Sequence, residues 1–219
     1  PTEGMVIAAI VRRQDPRDVL VNRWNATLAD LPAGARLGTG SPRRIALLGS
    51  LRPDAAAVPI RGNVGTRLAK VGSGDYDGVV VAAAGVLRLG LSNRVAEYLD
   101  TDIFTPDVGQ GALVVQVRAD DPEAAEITAV ADHSDTRVAV LTERAFLRTM
   151  GGGCSVPVAA HAQVIDNRLT MRAMAASPDG SQMYRESEVG DLSDPEETGT
   201  ALAHKLLTSG ASTILGYGE

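Results

Sequence analysis

The stretch Ile60-Arg61-Gly62-Asn63-Val64-Gly65-Thr66-Arg67 sets two arginines in a glycine-rich loop beside an apolar run, and the only cysteine, Cys154, follows Gly151-Gly152-Gly153. Guanidinium groups suit planar, two-point binding of carboxylate or phosphate. A thiol at the end of a glycine run has the reach and backbone freedom for a covalent tether. Together the two features point to a site that holds several acidic groups and anchors something through sulfur. The bland alternative for Cys154 is a small buried hydrophobe. Reactivity would require thiolate character, helped by nearby arginines.

Further arginines repeat the theme. Arg43 and Arg44 follow Gly38-Thr39-Gly40-Ser41-Pro42, and Arg88 sits in Ala84-Gly85-Val86-Leu87-Arg88-Leu89-Gly90. Each follows a run expected to be a parallel strand. Open α/β sheets bind ligands beyond the carboxyl ends of their strands, where helix N-termini offer free N–H groups to anions. Any one of these arginines could be a solvated surface charge; their shared placement argues for a polyanionic ligand. The pattern does not separate phosphate from carboxylate, but neither a Walker A loop nor a Gly-x-Gly-x-x-Gly turn follows a strand. His133, His161 and His204 are scattered, which reads as structural or surface placement rather than a metal site.

The elements that must position these groups are legible in outline. Met5–Val11, Arg36–Gly38, Ala57–Ile60 and Gly78–Ala83 read as strands, the last apolar throughout like a strand buried on both faces. Ser41 and Pro42 fit the N-cap and first position of a helix to about Ser50, and Asn63 fits the cap of the next. A short helix is expected around Gly85–Gly90. This alternation predicts a parallel sheet covered by helices. Ala112–Arg118 reads as another strand, and Pro122–Ala131 and Thr136–Thr149 as helices. Beyond Gly153 the texture changes to strands at Val156–Val164, Arg168–Ala175 and Met183–Val189, turned at Asp166-Asn167 and Pro178-Asp179-Gly180. Pro195–Leu207 closes as a helix. The final third is therefore expected to be a separate small domain with an antiparallel sheet.

The 219 residues are 44% hydrophobic, enough for one large or two to three small domains. A net charge of −6 and 3% aromatics argue against a nucleic-acid partner. No run has the length of a membrane span and no signal-like N-terminus is visible. One cysteine cannot form an internal disulfide, which fits a reducing cytoplasm. Asn25-Ala26-Thr27 matches a glycosylation sequon, but that compartment makes its use unexpected.

The chain resembles the porphobilinogen deaminase (hydroxymethylbilane synthase) family. The resemblance rests on Asp15-Pro16-Arg17-Asp18, Gly38-Thr39-Gly40-Ser41-Pro42-Arg43-Arg44, Arg61-Gly62-Asn63-Val64-Gly65-Thr66-Arg67-Leu68, Ala84 to Gly90, Val108-Gly109-Gln110-Gly111-Ala112, Glu143-Arg144-Ala145 and Gly152-Gly153-Cys154-Ser155-Val156-Pro157. These stand in the family's order and cover most of the chain. The resemblance implies a transferase of tetrapyrrole (haem or chlorophyll) biosynthesis that joins four porphobilinogen molecules into hydroxymethylbilane with release of ammonia. It implies a dipyrromethane cofactor held by a thioether to Cys154. Arg43, Arg44, Arg61, Arg67 and Arg88 would pair with acetate and propionate groups of cofactor and substrate, beside contacts from Thr39, Ser41 and Gln110. A covalent tether keeps the reacting end present through every cycle. No metal, nucleic acid or membrane is implied, and the full-length protein is expected to be a cytoplasmic monomer.

The implied fold is α/β: periplasmic-binding-protein-like parallel-sheet domains plus a small α+β C-terminal domain with an antiparallel sheet. The expected division is 1–12 with 112–131 as a remnant of domain 1, 13–111 as domain 2 with the arginine site, and 132–219 as domain 3 with Cys154. The family's catalytic aspartate is expected upstream of Pro1, so no residue here is assigned the acid/base role, and Asp15 and Asp18 read as structural members of a turn. The chain is accordingly expected to be an N-terminally truncated fragment, inactive and poorly stable alone. Pro42 stands where the family often has leucine and suits a first helical position. The alternative reading is a non-catalytic solute-binding module of periplasmic-binding-protein type, to which a tethering thiol would be of no use.

Overall fold

The computed structural model describes residues 3–151 and 157–216. Strand β1 (Met5–Val11) pairs antiparallel with β7 (Leu113–Arg118) as a two-stranded ribbon, Ile10 opposite Val114. Between these strands the chain builds a five-stranded sheet in the order β4-β3-β5-β2-β6. Its strands are β2 (Asp18–Asn22), β3 (Arg36–Gly38), β4 (Ala56–Val58), β5 (Gly78–Ala82) and β6 (Glu97–Tyr98). Helices α1 (Pro42–Leu51), α2 (Val64–Ala69) and α3 (Ala83–Arg88) follow β3, β4 and β5. Two segments, 12–17 and 99–112, carry the chain out from the ribbon to the sheet and back.

The sheet is mixed rather than wholly parallel. β3 runs parallel to β4 and β5, but β2 is antiparallel to both β5 and β6. The parallel pairs are joined through helices, which fixes their direction; β2 enters straight from the ribbon and can lie either way. Met5–Val11 likewise does not belong to this sheet. The β2, β5 and β3 centre is dry: Val19, Leu20, Leu37, Val79 and Val80 are all 0% exposed.

Caps follow the sequence. The Ser41 side chain accepts from Arg44 N, with Pro42 at the start of α1, and Asn63 accepts from Thr66 N at the start of α2.

The C-terminal third consists of α4 (Pro122–Ala129), α5 (Ser134–Thr149), β8 (Val158–Ile165), β9 (Arg168–Ala176), β10 (Met183–Gly190) and α6 (Pro195–Leu206), followed by short helical segments at Leu207–Ala211 and Ser212–Leu215. The strands form an antiparallel sheet ordered β10-β9-β8, with Asp166 and Asn167 at positive φ in a two-residue turn. Both faces of this sheet are covered. Ala160, Ala162, Met171 and Ala173 pack with Phe146 of α5 and Leu202 of α6. Ala159, Met174 and Ala176 pack with Ala46 and Leu47 of α1, so one cluster bridges the five-stranded unit and the C-terminal unit, while each also has a cluster of its own. The ribbon is less covered: Val6, Leu113 and Val114 are 41, 51 and 41% exposed. Among the described residues no helix is long and apolar enough to cross a membrane.

Candidate functional site

Because β3, β4 and β5 run parallel, the loops leaving them open at one edge of the sheet, and Thr39, Ser41, Arg43, Arg44, Arg61, Arg67 and Arg88 lie in and after those loops. Thr39 and Ser41 occupy the turn from β3 to α1. Thr39 is fully buried, its N–H donating to Val58 O at 3.0 Å and its hydroxyl accepting from Ser41 N at 3.3 Å. Arg61 is exposed on the loop after β4. Arg67 lies in the last turn of α2, where its Nε donates to Gly62 O at 2.8 Å and closes that loop. Arg88 is the last residue of α3, exposed, with Nη2 3.5 Å from Gly111 O. Arg67 and Arg88 are thus at helix ends rather than helix starts.

Arg43 and Arg44 are differently placed. Their positions in the first turn of α1 aim both guanidiniums at Asp18, the first residue of β2, which is fully buried opposite Ala82 at the end of β5. Asp18 Oδ1 accepts from Arg44 Nε at 3.0 Å and lies 2.8 Å from Arg44 Nη2, while Asp18 Oδ2 lies 2.8 Å from Arg43 Nη1. Arg43 also donates from Nη1 to Thr105 O at 2.7 Å and lies over the Phe104 ring. It is only 2% exposed, so it does not face solvent; the Arg44 side chain keeps 11% exposure.

Gln110, on the returning segment, closes the cluster. Its Oε1 accepts from Arg43 Nη2 and Arg44 Nη2 at 3.4 and 3.3 Å, and its Nε2 donates to Pro16 O at 2.6 Å and to Asp18 Oδ1 at 3.1 Å. Burial would push the Asp18 carboxyl up, but the flanking Arg43 and Arg44 guanidiniums outweigh it and hold it below the ordinary carboxylate range.

The structure therefore brings Arg43, Arg44 and Gln110 into contact around an acid that the sequence reading had assigned to a structural turn. The turn is real: Arg17 N donates to Asp15 Oδ1 at 3.0 Å. Asp18 lies just beyond it, in a strand. The available signal was a carboxylate opening an apolar run, Asp18-Val19-Leu20-Val21, that must be buried to pair at all.

Among the described residues Arg61, Arg67 and Arg88 make no hydrogen bond or ion pair with Asp18, Arg43, Arg44 or Gln110; Arg88 comes nearest, beside Gly111. Guanidinium donors of this kind suit carboxylate and phosphate groups alike. Cys154 lies outside the described residues. Among the described residues no group of His, Cys, Asp or Glu is arranged to hold a metal ion.

Comparison with known proteins gives the same direction. Residues 1–126 match the family model described as porphobilinogen deaminase, dipyromethane cofactor binding domain, and residues 138–208 match that of the porphobilinogen deaminase C-terminal domain. Porphobilinogen deaminase of Syntrophobacter fumaroxidans is 46% identical over 213 residues, covering 97% of this chain and 69% of the relative. That of Roseiflexus sp. is 47% identical over 211 residues, covering 96% and 69%. That of Moorella thermoacetica is 48% identical over 213 residues, covering 97% and 68%. An arginine-specific periplasmic binding protein of Salmonella typhimurium overlays at a TM-score of 0.35, with 17% identity over 57% of this chain and 55% of that one, which is too low to argue from.

Proposed function

The chain belongs to the porphobilinogen deaminase family, and from that premise we propose that it serves hydroxymethylbilane synthesis, the condensation of four porphobilinogen molecules with loss of ammonia. Family membership makes it a protein of tetrapyrrole biosynthesis, with a domain of the dipyrromethane-binding type. One observation supports the finer reading: all eight residues of the expected cofactor and substrate site fall within the matched stretch 1–126, in or after the loops leaving β3, β4 and β5 or on the returning segment.

In this reading Arg44, Arg61, Arg67 and Arg88 receive acetate and propionate groups by charge-assisted hydrogen bonds. Arg43, too buried to meet solvent, braces Arg44 and the returning segment. Thr39 and Ser41 shape the turn from which α1 presents its arginines, and Gln110 fixes that turn against segment 12–17. The dipyrromethane, bound through a thioether to Cys154, supplies the pyrrole end to which substrate units are added. Residues 13–111 act as the arginine-bearing domain, 132–219 as the domain bearing Cys154, and 1–12 with 112–131 as part of a further one.

No carboxylate of the 219 residues is assigned the acid/base role: Asp18, the acid in contact with the cluster, is committed to Arg43 and Arg44. On this reading the 219 residues by themselves are expected to bind porphobilinogen without forming hydroxymethylbilane. Calorimetric titration with porphobilinogen, run beside a tetrapyrrole assay and intact-mass measurement, tests this. Binding without turnover is expected, and any added pyrrole mass disappears in Cys154→Ser. Turnover would overturn the inactivity, and absence of binding would overturn the acidic-pyrrole site.

A further inference from the structure

We propose that Asp18 is the positioning residue of the arginine site, a buried carboxylate that holds the Arg44 guanidinium, with Arg43 behind it, in the orientation that receives a ligand carboxylate. The proposal rests on the carboxylate-binding reading given above and adds to it a residue with a definite task.

Its basis is geometry. Asp18 is 0% exposed, opens β2, and faces the end of β5, directly beside the first turn of α1. Its Oδ1 accepts from Arg44 Nε at 3.0 Å and lies 2.8 Å from Arg44 Nη2, which turns the Nε edge of that guanidinium toward the carboxylate. Gln110 holds Arg44 from the other side at 3.3 Å and donates to Asp18 itself at 3.1 Å. Arg44 is thus gripped by two side chains that are also in contact with each other.

The charges agree. Two cations share one anion, so the group keeps a net positive charge and still attracts an acidic ligand. Without the shared anion, two guanidiniums would be forced together in a place closed to water. Asp18 Oδ2, 2.8 Å from Arg43 Nη1, and Arg43 Nε have no aligned hydrogen-bond partner among the described residues. Arg43 is sealed, leaving Arg44 as the member of the pair with an accessible edge.

A counter-charge without a positioning task makes the opposite prediction. If Asp18 only neutralised its neighbours, removing its charge would leave a more positive site that binds anions more tightly. If it positions Arg44, removing it frees that side chain to wander, and binding weakens.

The test uses nitrogen-15-labelled protein and porphobilinogen as probe. In the wild type the Arg44 Nε–H exchanges with water much more slowly than that of exposed Arg61. In Asp18→Asn that protection falls toward the Arg61 rate, while the amide spectrum keeps its folded dispersion. Porphobilinogen affinity falls by about tenfold to a hundredfold, as expected for losing a charge-assisted contact. Unprotected Arg44 in the wild type overturns the proposal whether or not the variant folds, as does unchanged or tighter binding by a folded Asp18→Asn. If the wild type does not bind porphobilinogen, the carboxylate-site reading fails, and Nε–H protection and its loss in Asp18→Asn then decide by themselves whether Asp18 positions Arg44.

Discussion

Arg13 and Glu143 stand 130 positions apart in sequence and form a two-point ion pair, Nη1 to Oε1 at 2.7 Å and Nη2 to Oε2 at 2.8 Å. Their side chains are 10 and 0% exposed. Glu143 also accepts from Gly109 N at 2.6 Å and Ala162 N at 2.8 Å, and Arg13 Nε donates to Gln110 O at 2.8 Å. One carboxylate on α5 therefore fastens the outgoing segment, the returning segment and strand β8 together. Deleting one partner of a buried pair leaves the other charge uncompensated, which costs about 3–5 kcal/mol. Glu143→Ala is expected to lose that much in urea denaturation; a loss below about 1 kcal/mol, the level of an exposed pair, would contradict the clamp.

The same residue gives a pH dependence. Burial pushes the Glu143 carboxyl up, but the His161 ring at 3.5 Å and the Arg13 guanidinium outweigh it and hold it below its ordinary 4.5. A carboxyl with a lower pKa folded than unfolded adds stability above its unfolded value, and that stability is lost as pH falls through the folded one. The stability gap between wild type and Glu143→Gln is thus expected to hold steady from neutrality to about pH 5 and narrow progressively below about pH 4.5. Denaturant midpoints measured across that range check it, and a gap that stays constant into acid would refute the linkage.

What the sequence revealed and what it hid divide along the range of the causes. Helix starts at Ser41-Pro42 and Asn63 were readable because the cap and its N–H partner lie three residues apart. The Asp166-Asn167 turn was readable for the same reason. Strand β2 was not, because it exists through pairing with β5, some sixty residues on, and its direction is set by that pairing. Asp18 is structural, as expected, but its place is set at long range: the local Asp-Pro-Arg-Asp pattern makes a turn, while the partners that hold Asp18, Arg44 and Gln110, lie 26 and 92 positions away. The arginines were found by type and loop placement, yet nothing local distinguished sealed Arg43 from exposed Arg61.

That distinction is measurable. Arg43 is 2% exposed and bonded to Thr105 O and Gln110, so Arg43→Ala strips partners from buried acceptors and leaves a cavity. It is expected to lower folding stability by about 2–4 kcal/mol. Arg61→Ala removes an exposed side chain with no ion-pair partner among the described residues, and is expected to move stability by less than about 0.5 kcal/mol. Its effect appears instead as a weakening of porphobilinogen binding by roughly tenfold. Parallel unfolding and calorimetry on the two variants check this, and equal stability losses would remove the division of labour.

Gly111 marks where the two crossing segments touch. Gln14 N donates to Gly111 O at 3.1 Å, and a Cβ on Gly111, whose φ is +85°, would stand 2.7 Å from Gln14 O and 3.2 Å from Asp15 O. Gly109, two residues earlier, has φ of +72° but open space where its Cβ would be. Alanine at either position is strained by about 1–2 kcal/mol through the left-handed backbone alone. Only at position 111 must it also push segment 12–17 away, against backbone atoms that cannot turn aside, and so disturb Gln110 beside the arginine cluster. Gly111→Ala is therefore expected to cost at least about 1 kcal/mol more than Gly109→Ala and to weaken porphobilinogen binding, whereas Gly109→Ala leaves binding unchanged. Equal costs in urea denaturation would mean that backbone conformation alone matters there, and that the close approach of the two segments does not hold the site in shape.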